Sequence, residues 1–452
     1  MAGTRGVRRM LRWGVRHGMM RALALPRARQ GEFGARIVFD PVLATDPFDL
    51  YEEVRARGRL VDTGLAFATA DHALSVAVLR SPDFRTAAST PPTLPAPLRW
   101  AVRAGGRGSL GPVEPPSMLA MNPPDHTRYR KLVNRAFSAR AIAALRTRTE
   151  EIAEELLDGM AAHGPRTDLV ADYASLLPAT VIAEMLGAPV RMREQFLRWG
   201  ASGAVSLDVG IPYRDFRASE LAIDQFHRWM LGHFARVRAG GSSSGSGDGS
   251  SGGSADDIIT TLVAAHDAGQ LTEDELSSIA MLLLAAGFET TVNLIGNGVV
   301  QLARRPEQLA TLRSHPELWP VAVDEVLRYD SPVQRTARIA VRDTEVGGVH
   351  VPADRVVMLL LGGANRDPGV FADPQRFDVT RTDAAEHIAF SSGVHYCLGA
   401  GLARMEGEVG LRALFRRFPE LTLAGEPTRR PTRVLRGYDD VPVRLQPASV
   451  SA

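Results

Sequence analysis

Apolar side chains recur every three or four residues along most of this chain, a spacing that favours amphipathic α-helices. The predicted helices span Ala139–Met160, Leu176–Leu186, Asp215–Val237, Asp256–Ala268, Glu273–Arg304 and Pro306–Arg313. Thr272 and Glu275 form a capping box at the start of the longest one. The strand-like segments are short: Val61–Ala68, Thr336–Val341, Thr344–Val346, Val349–Val351, Arg355–Leu361 and pieces after Leu421. The pattern therefore predicts a mainly α fold with small β-sheets.

Two segments interrupt this pattern. Residues 239–255 are almost entirely glycine and serine, and such a sequence forms a flexible coil. The residues with candidate chemistry lie on both sides of it. We therefore expect a loop within one domain, residues 39–447, and not a linker between two domains. The stretch Thr86–Pro124 is rich in proline and glycine and predicts a long irregular loop, which is usually either functional or disordered.

Residues 1–38 predict a basic amphipathic N-terminal extension. Apolar residues follow an i,i+4 stripe at Val7, Leu11, Val15, Met19 and Leu23. Arginines crowd the other side at Arg8, Arg9, Arg12, Arg16 and Arg21. Such a helix, over residues 7–25, can make peripheral contact with an anionic membrane, or it can pack on the protein's own body as many surface helices do. No apolar region or small-residue cleavage site follows the paired arginines, so we predict no export signal.

The composition is typical of a globular protein, with 45% apolar and 23% charged residues. A formal net charge of +2 gives no strong field that would attract nucleic acid. The single cysteine excludes an internal disulfide and suits a reducing cytoplasm. The longest apolar run, Ile279–Phe288, is shorter than the ~20 residues that span a bilayer. We expect a monomeric cytoplasmic protein, with membrane association as the alternative that the N-terminal extension leaves open.

The segment around Cys397 carries the first candidate chemistry. It reads Phe390-Ser-Ser-Gly-Val-His-Tyr-Cys-Leu-Gly399. Gly393 and Gly399 allow close backbone approach and positive φ on either side of the sulfur, and Phe390 offers an aromatic wall. The residues from Leu398 onward predict a helix, whose N-terminal N–H groups and positive dipole end favour a thiolate just before them.

The pattern Phe390-x-x-Gly393-x-x-x-Cys397-x-Gly399 resembles the haem-binding signature of the cytochrome P450 family. The resemblance covers about residues 40–445. It implies the triangular-prism fold of that family, with haem b (iron protoporphyrin IX) between the longest helix and the cysteine segment and with Cys397 as the axial iron ligand. A thiolate ligand pushes electron density towards dioxygen and favours O–O cleavage.

A second motif, Glu325-Val-Leu-Arg328, lies on a predicted helix upstream of the cysteine. By itself a Glu–Arg pair at this spacing is usually a surface pair worth a few tenths of a kcal/mol. The order of motifs is similar to that of the family's Glu–Arg–Arg network, which implies that Glu325, Arg328 and Arg376 brace the proximal side. Gln375 stands where the family usually has glutamate, a departure that leaves Arg376 in place.

The sequence Ala285-Ala-Gly-Phe-Glu-Thr-Thr291 interrupts an otherwise apolar helix. Thr290 can turn its hydroxyl onto the carbonyl of Ala286; a satisfied buried polar cluster is the alternative explanation. The segment resembles the family's oxygen-activation motif, which implies that Glu289 and Thr290 relay protons to dioxygen. Bacterial relatives often have histidine where Phe288 stands. By resemblance the substrate pocket includes Ala285, Phe288 and Val333–Ala337, with Pro91–Trp100, Ser206–Pro212 and Leu435–Tyr438.

Four cationic positions match the residues that contact the haem propionates in this family: His126, Arg130, Arg338 and His395. His126 and Arg130 share one predicted helix face at i,i+4. Arginine's planar fork suits a carboxylate, although each residue alone is more often a solvated surface cation. The resemblance therefore implies a cofactor-binding set that also includes Phe390, Gly393 and Gly399.

The resemblance implies a monooxygenase that inserts one oxygen atom into an apolar small molecule. The sequence has no flavin or nicotinamide domain pattern, so electrons are expected from a ferredoxin served by a ferredoxin reductase. Arg128, Lys131 and Arg135 are candidates for docking that acidic partner. Two alternatives stay open: a peroxygenase of the same fold, whose members typically lack an acid–alcohol pair such as Glu289–Thr290, and a non-catalytic haem protein that senses or carries a ligand.

Overall fold

The computed structural model describes residues 2–86, 108–240 and 258–446. Its helices are, in chain order, α1 Ala2–Trp13, α2 Met19–Arg29, α3 Phe33–Phe39, α4 Val42–Thr45, α5 Phe48–Arg57, α6 His72–Arg80, α7 Asp125–Val133, α8 Ala139–Ala162, α9 Leu176–Met185, α10 Arg193–Ala204, α11 Tyr213–Arg238, α12 Ile258–Asp267, α13 Glu273–Ala303, α14 Pro306–Ser314, α15 Trp319–Tyr329, α16 Leu361–Ala364 and α17 Ala400–Arg417. A π-helical turn, Gly14–Gly18, joins α1 to α2. The helices predicted from periodicity are present with bounds within two residues of those expected.

The strands are short, as the sequence predicts, and they are β1 Val61–Asp62, β2 Phe67–Thr69, β3 Phe84–Thr86, β4 Arg166–Asp168, β5 Thr336–Ala340, β6 Thr344–Val346, β7 Val349–Val351, β8 Val356–Leu359, β9 Thr422–Leu423, β10 Thr428–Arg429, β11 Tyr438–Asp440 and β12 Pro442–Arg444. The largest sheet has the order β1-β2-β8-β5-β3. In it β2 and β8 are parallel and the other neighbours are antiparallel. The mainly α class with small sheets is therefore confirmed.

One strand prediction was wrong. Val61–Ala68 is not a single strand but a hairpin of β1 and β2, which pair antiparallel. A tight turn separates them: the Thr63 hydroxyl donates to the Ala66 carbonyl at 2.7 Å, and Gly64 has a φ of 77°. Glycine adopts this left-handed conformation without the steric cost that a Cβ would bring.

The long helix α13 runs through the core and begins at the predicted capping box. The Thr272 hydroxyl accepts from the Glu275 amide, and the Glu275 carboxylate accepts from the Thr272 amide at 2.8 Å. Most of α13 is buried, and one core cluster joins it to α8, α15 and α17. Among the described helices, α13 alone is long and apolar enough to cross a membrane. It is mostly buried inside the protein, as the core helix of a globular protein is.

The N-terminal extension packs on the body of the protein, which is one of the two alternatives left open by its pattern. Arg9 and Arg12 pair with Glu220, and Arg16 pairs with Glu114. The arginines that would have met anionic lipid therefore bind carboxylates of this chain. The apolar stripe is not the buried face, since Val7 and Leu23 are 62% and 65% exposed.

The two interruptions predicted from composition are only partly described. Of the glycine- and serine-rich loop at 239–255, residues 241–255 lie outside the described residues. Residues 87–107 also lie outside them, and with them the predicted pocket segment Pro91–Trp100. The remainder, residues 108–124, contains turns and irregular backbone but no helix or strand, as expected.

Candidate active site

Cys397 lies three residues before α17, next to the helix N-terminus as predicted. Its amide donates to the Phe390 carbonyl at 2.9 Å, which closes the loop around it. The side chain is accessible, although protein surrounds it on most sides. Burial raises the pKa of the thiol, while the Gly399 amide and the charges of Arg130 and Arg404 act to lower it.

The two glycines of the cysteine loop have different roles. Gly393 has a φ of 67°, and a Cβ built on it would lie 2.4 Å from the Leu79 carbonyl oxygen. Gly399 was expected to share a positive φ, but that prediction was wrong: its φ is −87°. A Cβ at Gly399 meets no atom within 4 Å, so the space next to it is open. Gly393 is therefore required by the fold, and Gly399 leaves open space two residues from Cys397.

The middle of α13 meets a cavity. Ala286 is exposed and Thr290 is half-buried in a helix that is otherwise mostly buried. The Thr290 hydroxyl donates to the Ala286 carbonyl at 3.2 Å, which confirms the local geometry predicted from the sequence. Gly287 faces α9, where a Cβ would lie 2.6 Å from Ile182. α13 is therefore closely packed at Gly287, whereas Ala286 and the half-buried Thr290 form an accessible turn.

Glu289 is buried and forms an ion pair with Arg430. Burial raises the pKa of this carboxyl, and the Arg430 charge partly opposes that rise. Arg430 also donates to the Tyr438 carbonyl at 3.1 Å and lies 3.3 Å from the half-exposed Asp439 carboxylate. Sequence reasoning missed Arg430, because only the burial of a mid-helix acid hints that some cation must approach it.

The four predicted propionate contacts come together in the structure. The rings of His126 and His395 lie 4.2 Å apart between centroids. Burial first, and nearby positive charge second, lower the pKa of His126 to about 4 and that of His395 to about 3. The Arg130 guanidinium donates to the Tyr396 carbonyl at 2.6 Å, and the charge of Arg338 also acts on His395. All four side chains therefore share one region beside the cysteine loop.

This region has the character of an anion site. Arg338 is only 6% exposed, and within the described residues it donates to Thr336 and Ala337 of its own strand and has no carboxylate partner. Burial alone lowers its pKa to about 10. The buried Nε2 of His395 also has no hydrogen-bond partner in the part of the chain that the structure describes. A buried cation without a counter-ion is costly, so the residues present fit a ligand that brings carboxylates, as the propionates of haem do.

The buried pair Glu325–Arg328 connects α15 to the segment 365–381. Both side chains are fully buried, and two hydrogen bonds of 2.6 and 2.9 Å join them. Arg328 also donates to carbonyls at 2.9–3.0 Å, those of Asn365, Pro374 and Arg376. Glu325 accepts from the Asp378 amide at 2.8 Å. Such full satisfaction is what makes a buried ion pair tolerable.

The prediction for the third member of this network was wrong. The Arg376 side chain is 63% exposed and lies 3.5 Å from Asp378, so only its backbone carbonyl takes part. Arg381 approaches Glu325 at 3.4 Å with a side chain that is 7% exposed. Arg381 also donates to the carbonyls of Ala372 and Asp373, because the chain bends back over α15 at this point.

The sequence of this chain is similar to known proteins whose family has such a cysteine site. A model of the cytochrome P450 family matches residues 313–435. The chain is 48% identical over 442 residues to cytochrome P450 140 of Mycobacterium tuberculosis, a match that takes in 97% of this chain and 98% of that protein. The chain belongs to the cytochrome P450 family. P450 proteins bind haem through a cysteine thiolate, and this P450 is an oxidoreductase of the monooxygenase class.

The P450 is also similar to a bacterial hydroxylase in sequence and to a solved P450 structure in fold. Over 334 residues the P450 is 41% identical to 6-deoxyerythronolide B hydroxylase of Saccharopolyspora erythraea, which takes in 73% of this chain and 78% of that one. The crystal structure of P450BioI with an acyl carrier protein that carries hexadec-9Z-enoic acid superposes with a TM-score of 0.76 at 31% identity. That comparison covers 90% of this chain and 100% of P450BioI. Because the mycobacterial match takes in 97% of the chain, it includes most of residues 1–38.

The predicted pocket residues of this P450 differ in how far they are buried. Phe288 was expected beside the pocket, but it is 1% exposed and fills the contact with α10, where a Cβ on Gly200 would lie 2.2 Å from its ring. Ala285 is half-buried one residue before the exposed Ala286. Val333 is half-buried and forms an isolated β-bridge with Leu435, which brings two predicted pocket segments together.

A further polar cluster of the P450 lies beside the cysteine loop and was not predicted. Asp324 accepts from Arg404 at 2.7 Å and lies 3.1 Å from the His387 ring nitrogen. The Arg404 guanidinium lies 4.7 Å from the centroid of the Phe390 ring. Phe390 is therefore held by a cation–π contact, and Arg404 contributes positive charge near the thiol.

Proposed function

We propose that this P450 inserts one atom of dioxygen into an apolar small molecule and reduces the other atom to water, with electrons that a ferredoxin delivers one at a time. The observation that carries the proposal is the Glu289–Thr290 pair, a buried acid beside a half-buried alcohol at the accessible turn of α13. In this proposal Cys397 ligates the haem iron, while the propionates contact His126, Arg130, Arg338 and His395. Phe390, Gly393 and Gly399 shape the cysteine loop.

Haem, when bound, supplies the centre at which dioxygen is reduced. The residues of the chain supply the protons. Glu289 takes up a proton from the side of Arg430 and Asp439, and Thr290 holds it at its hydroxyl on the cavity side of α13. The rest of α13 around this pair is largely apolar and buried, so protons arrive by this polar route.

A ferredoxin is the electron donor that the surface charges favour. Lys131 and Arg135 are exposed and close in sequence to Arg130, whose guanidinium contacts the cysteine loop. Arg128, predicted with them, is paired with Glu275 at 2.6 Å and with Asp125 at 3.3 Å, so its charge is already balanced. Ferredoxins are acidic, and a patch of free cations raises the rate of encounter with them.

The substrate class is supported by the relatives and by the pocket. One relative is named 6-deoxyerythronolide B hydroxylase, and one structural neighbour is in complex with an acyl carrier protein that carries hexadec-9Z-enoic acid. The predicted pocket residues Ala285 and Val333 are apolar. An apolar molecule is therefore the proposed substrate. Residues 39–447 are proposed to work as one haem-binding domain in a cytoplasmic monomer, in which Arg9, Arg12 and Arg16 of the extension pair with carboxylates of the same chain.

The carbon monoxide difference spectrum of the reduced protein tests the thiolate. We expect the red-shifted Soret band of thiolate-ligated haem in the wild type and its loss in Cys397→Ser. A wild-type spectrum without that band, in folded protein that binds haem, would refute the proposal. A screen of apolar compounds for the Soret shift that follows displacement of the axial water then identifies substrates.

The two alternatives predict different kinetics. A peroxygenase would retain peroxide-driven turnover in Thr290→Ala and would show no turnover with ferredoxin and reductase. A non-catalytic haem protein would bind ligands without forming an oxidised product from any of them. Coupled product formation with ferredoxin, lost in Thr290→Ala, separates the monooxygenase from both.

A further inference from the structure

The N-terminal segment Ala2–Arg29, here called the strap, is tied to the connection between α10 and α11. The Trp13 indole donates to the Ile211 carbonyl at 2.9 Å, and Arg21 donates to the Gly210 carbonyl at 3.2 Å. The Gly210 amide donates to Nδ1 of His17 at 3.1 Å. Three side chains of the strap therefore hold the backbone of two successive residues just before α11.

The strap also holds one face of α11 itself. Tyr213, Phe216 and Glu220 have an i, i+3, i+7 spacing and lie on one side of the helix. The Trp13 ring meets Tyr213 edge-on with centroids 5.7 Å apart, and His17 lies 5.3 Å from Phe216. The strap therefore follows α11 for two turns and holds its first residues in place.

Glu220 is the electrostatic centre of this contact. It is 5% exposed, and its carboxylate accepts from Arg9 at 2.7 Å and from Arg12 at 2.8–3.0 Å. Removing one partner of a buried charge pair leaves the other charge uncompensated, which is far more disruptive than loss of a surface pair. Burial lowers the pKa of His17 to about 4, so its ring is neutral near pH 7 and Nδ1 can accept the Gly210 amide.

The opposite side of the connection is held by the C-terminal part of the chain. The Asp208 carboxylate accepts from the amides of Arg433 and Val434, both at 2.9 Å. Arg433 donates to the Val209 carbonyl at 2.6 Å. The next residue, Leu435, bridges to Val333, so the connection borders two segments assigned to the substrate pocket.

We propose that the strap is a specificity element, which sets how far residues 205–212 can move away from residues 433–435 and thereby limits the size and entry rate of substrates. Glu220, Trp13 and His17 are its positioning residues. Short connections with few contacts open at low free energy. This connection is instead fixed from both sides by residues about 200 positions away in the sequence. The inference rests on the proposed function, because it concerns access to the same cavity.

The test compares Glu220→Gln with Glu408→Gln in the full-length, haem-loaded protein. Glu408 is a matched control, because it accepts two hydrogen bonds from Arg146 and joins α17 to α8, outside the strap. Hydrogen exchange of peptides that cover residues 205–216 is measured by mass spectrometry. We expect exchange roughly tenfold faster in Glu220→Gln and unchanged in Glu408→Gln.

A second readout uses 4-phenylimidazole as the probe. Stopped-flow association with the ferric haem should be several-fold faster in Glu220→Gln than in the wild type, and unchanged in Glu408→Gln. Wild-type rates in both assays, or equal effects in the control, would overturn the proposal. If Glu220→Gln does not fold, the same two assays are made on Trp13→Phe, which removes the indole donor to Ile211 and keeps an aromatic ring next to Tyr213. A wild type without the thiolate-type carbon monoxide band would refute the proposed function. The hydrogen-exchange comparison would still test whether the strap restrains residues 205–216.

Discussion

Arg430 forms an ion pair with Glu289, although 141 residues separate them in the sequence. The adjacent Arg429 binds the buried Asp330 carboxylate at 2.8 Å and the Asn297 side chain at 3.0 Å, which positions β10 against α13. A buried carboxyl without a cation would remain protonated over most of the pH range. Arg430 therefore helps keep Glu289 able to ionise.

Replacing Arg430 with glutamine should move the pH dependence of coupled turnover. Loss of the positive charge raises the pKa of Glu289 further above its usual range. The ionised carboxylate accepts protons, so activity that needs it is lost as pH falls through this pKa, and a higher pKa moves that loss to higher pH. We expect the acid limb of product formed per NADPH consumed to shift upward, with more peroxide released. Arg430→Lys keeps a cation and should shift less; identical profiles for all three proteins would contradict this role.

Arg338→Gln should weaken haem binding without destabilising the apoprotein. The buried Arg338 charge has no carboxylate partner among the described residues, so the apoprotein bears its desolvation cost. Glutamine removes that cost together with the contact for a propionate. Haem titration followed by the Soret band should give at least a tenfold weaker affinity, about 1.4 kcal/mol, while the apoprotein melts at or above the wild-type temperature. A lower melting temperature with unchanged haem affinity would exclude an anion-binding role.

Arg381→Ala and Arg376→Ala separate the two candidates for the third member of the Glu325 network. Arg381 is nearly buried and lies 3.4 Å from Glu325, so its loss should cost roughly 3 kcal/mol and reduce haem retention. Arg376 is mostly exposed, and its loss should change stability by less than about 0.5 kcal/mol. Urea unfolding and haem content measure both effects. A larger loss of stability and haem in Arg376→Ala than in Arg381→Ala would show that Arg376 is the third member of the network.

Alanine at the two glycines of the cysteine loop should have opposite consequences. Gly393→Ala forces a Cβ into positive φ and against the Leu79 carbonyl, which should cost the apoprotein about 1–3 kcal/mol. Gly399→Ala meets no protein atom, so the apoprotein should keep its stability within about 0.5 kcal/mol. Its new methyl group occupies open space two residues from Cys397 and should lower haem affinity. Chemical denaturation of the apoproteins and haem titration separate the two effects; normal haem binding in Gly399→Ala would mean that this space is not used.

The double variant Lys131→Glu/Arg135→Glu should slow reduction by ferredoxin. Both side chains are exposed, and reversing them replaces attraction with repulsion in the encounter. We expect a roughly tenfold lower second-order rate at low salt, and a much smaller difference at high salt where the charges are screened. Arg214→Glu is the control, since Arg214 is highly exposed on α11. Stopped-flow reduction under carbon monoxide gives the rates, and equal slowing in the control would exclude a specific docking patch.

Local signals in the sequence predicted a large part of this fold. Helix periodicity, the Thr272–Glu275 capping box and the position of Cys397 just before α17 depend on residues within a few positions of one another. For the same reason the Thr290 hydroxyl was predicted correctly, since its acceptor is four residues away on the same helix. The hairpin at 61–69 was mistaken for one strand because a two-residue strand carries too little alternation to be recognised.

The sequence by itself determined the family, the helical framework and the order of the motifs that converge on Cys397. Only the tertiary structure decided which distant charges meet: Arg430 with Glu289, Arg381 instead of Arg376 with Glu325, and Arg9 and Arg12 with Glu220. A local pattern records the period of an element but not the partner across a core, since that partner depends on how elements pack. The same limit applied to the N-terminal extension, whose apolar stripe suggested a buried face, whereas its arginines and Trp13 make the contact with the protein.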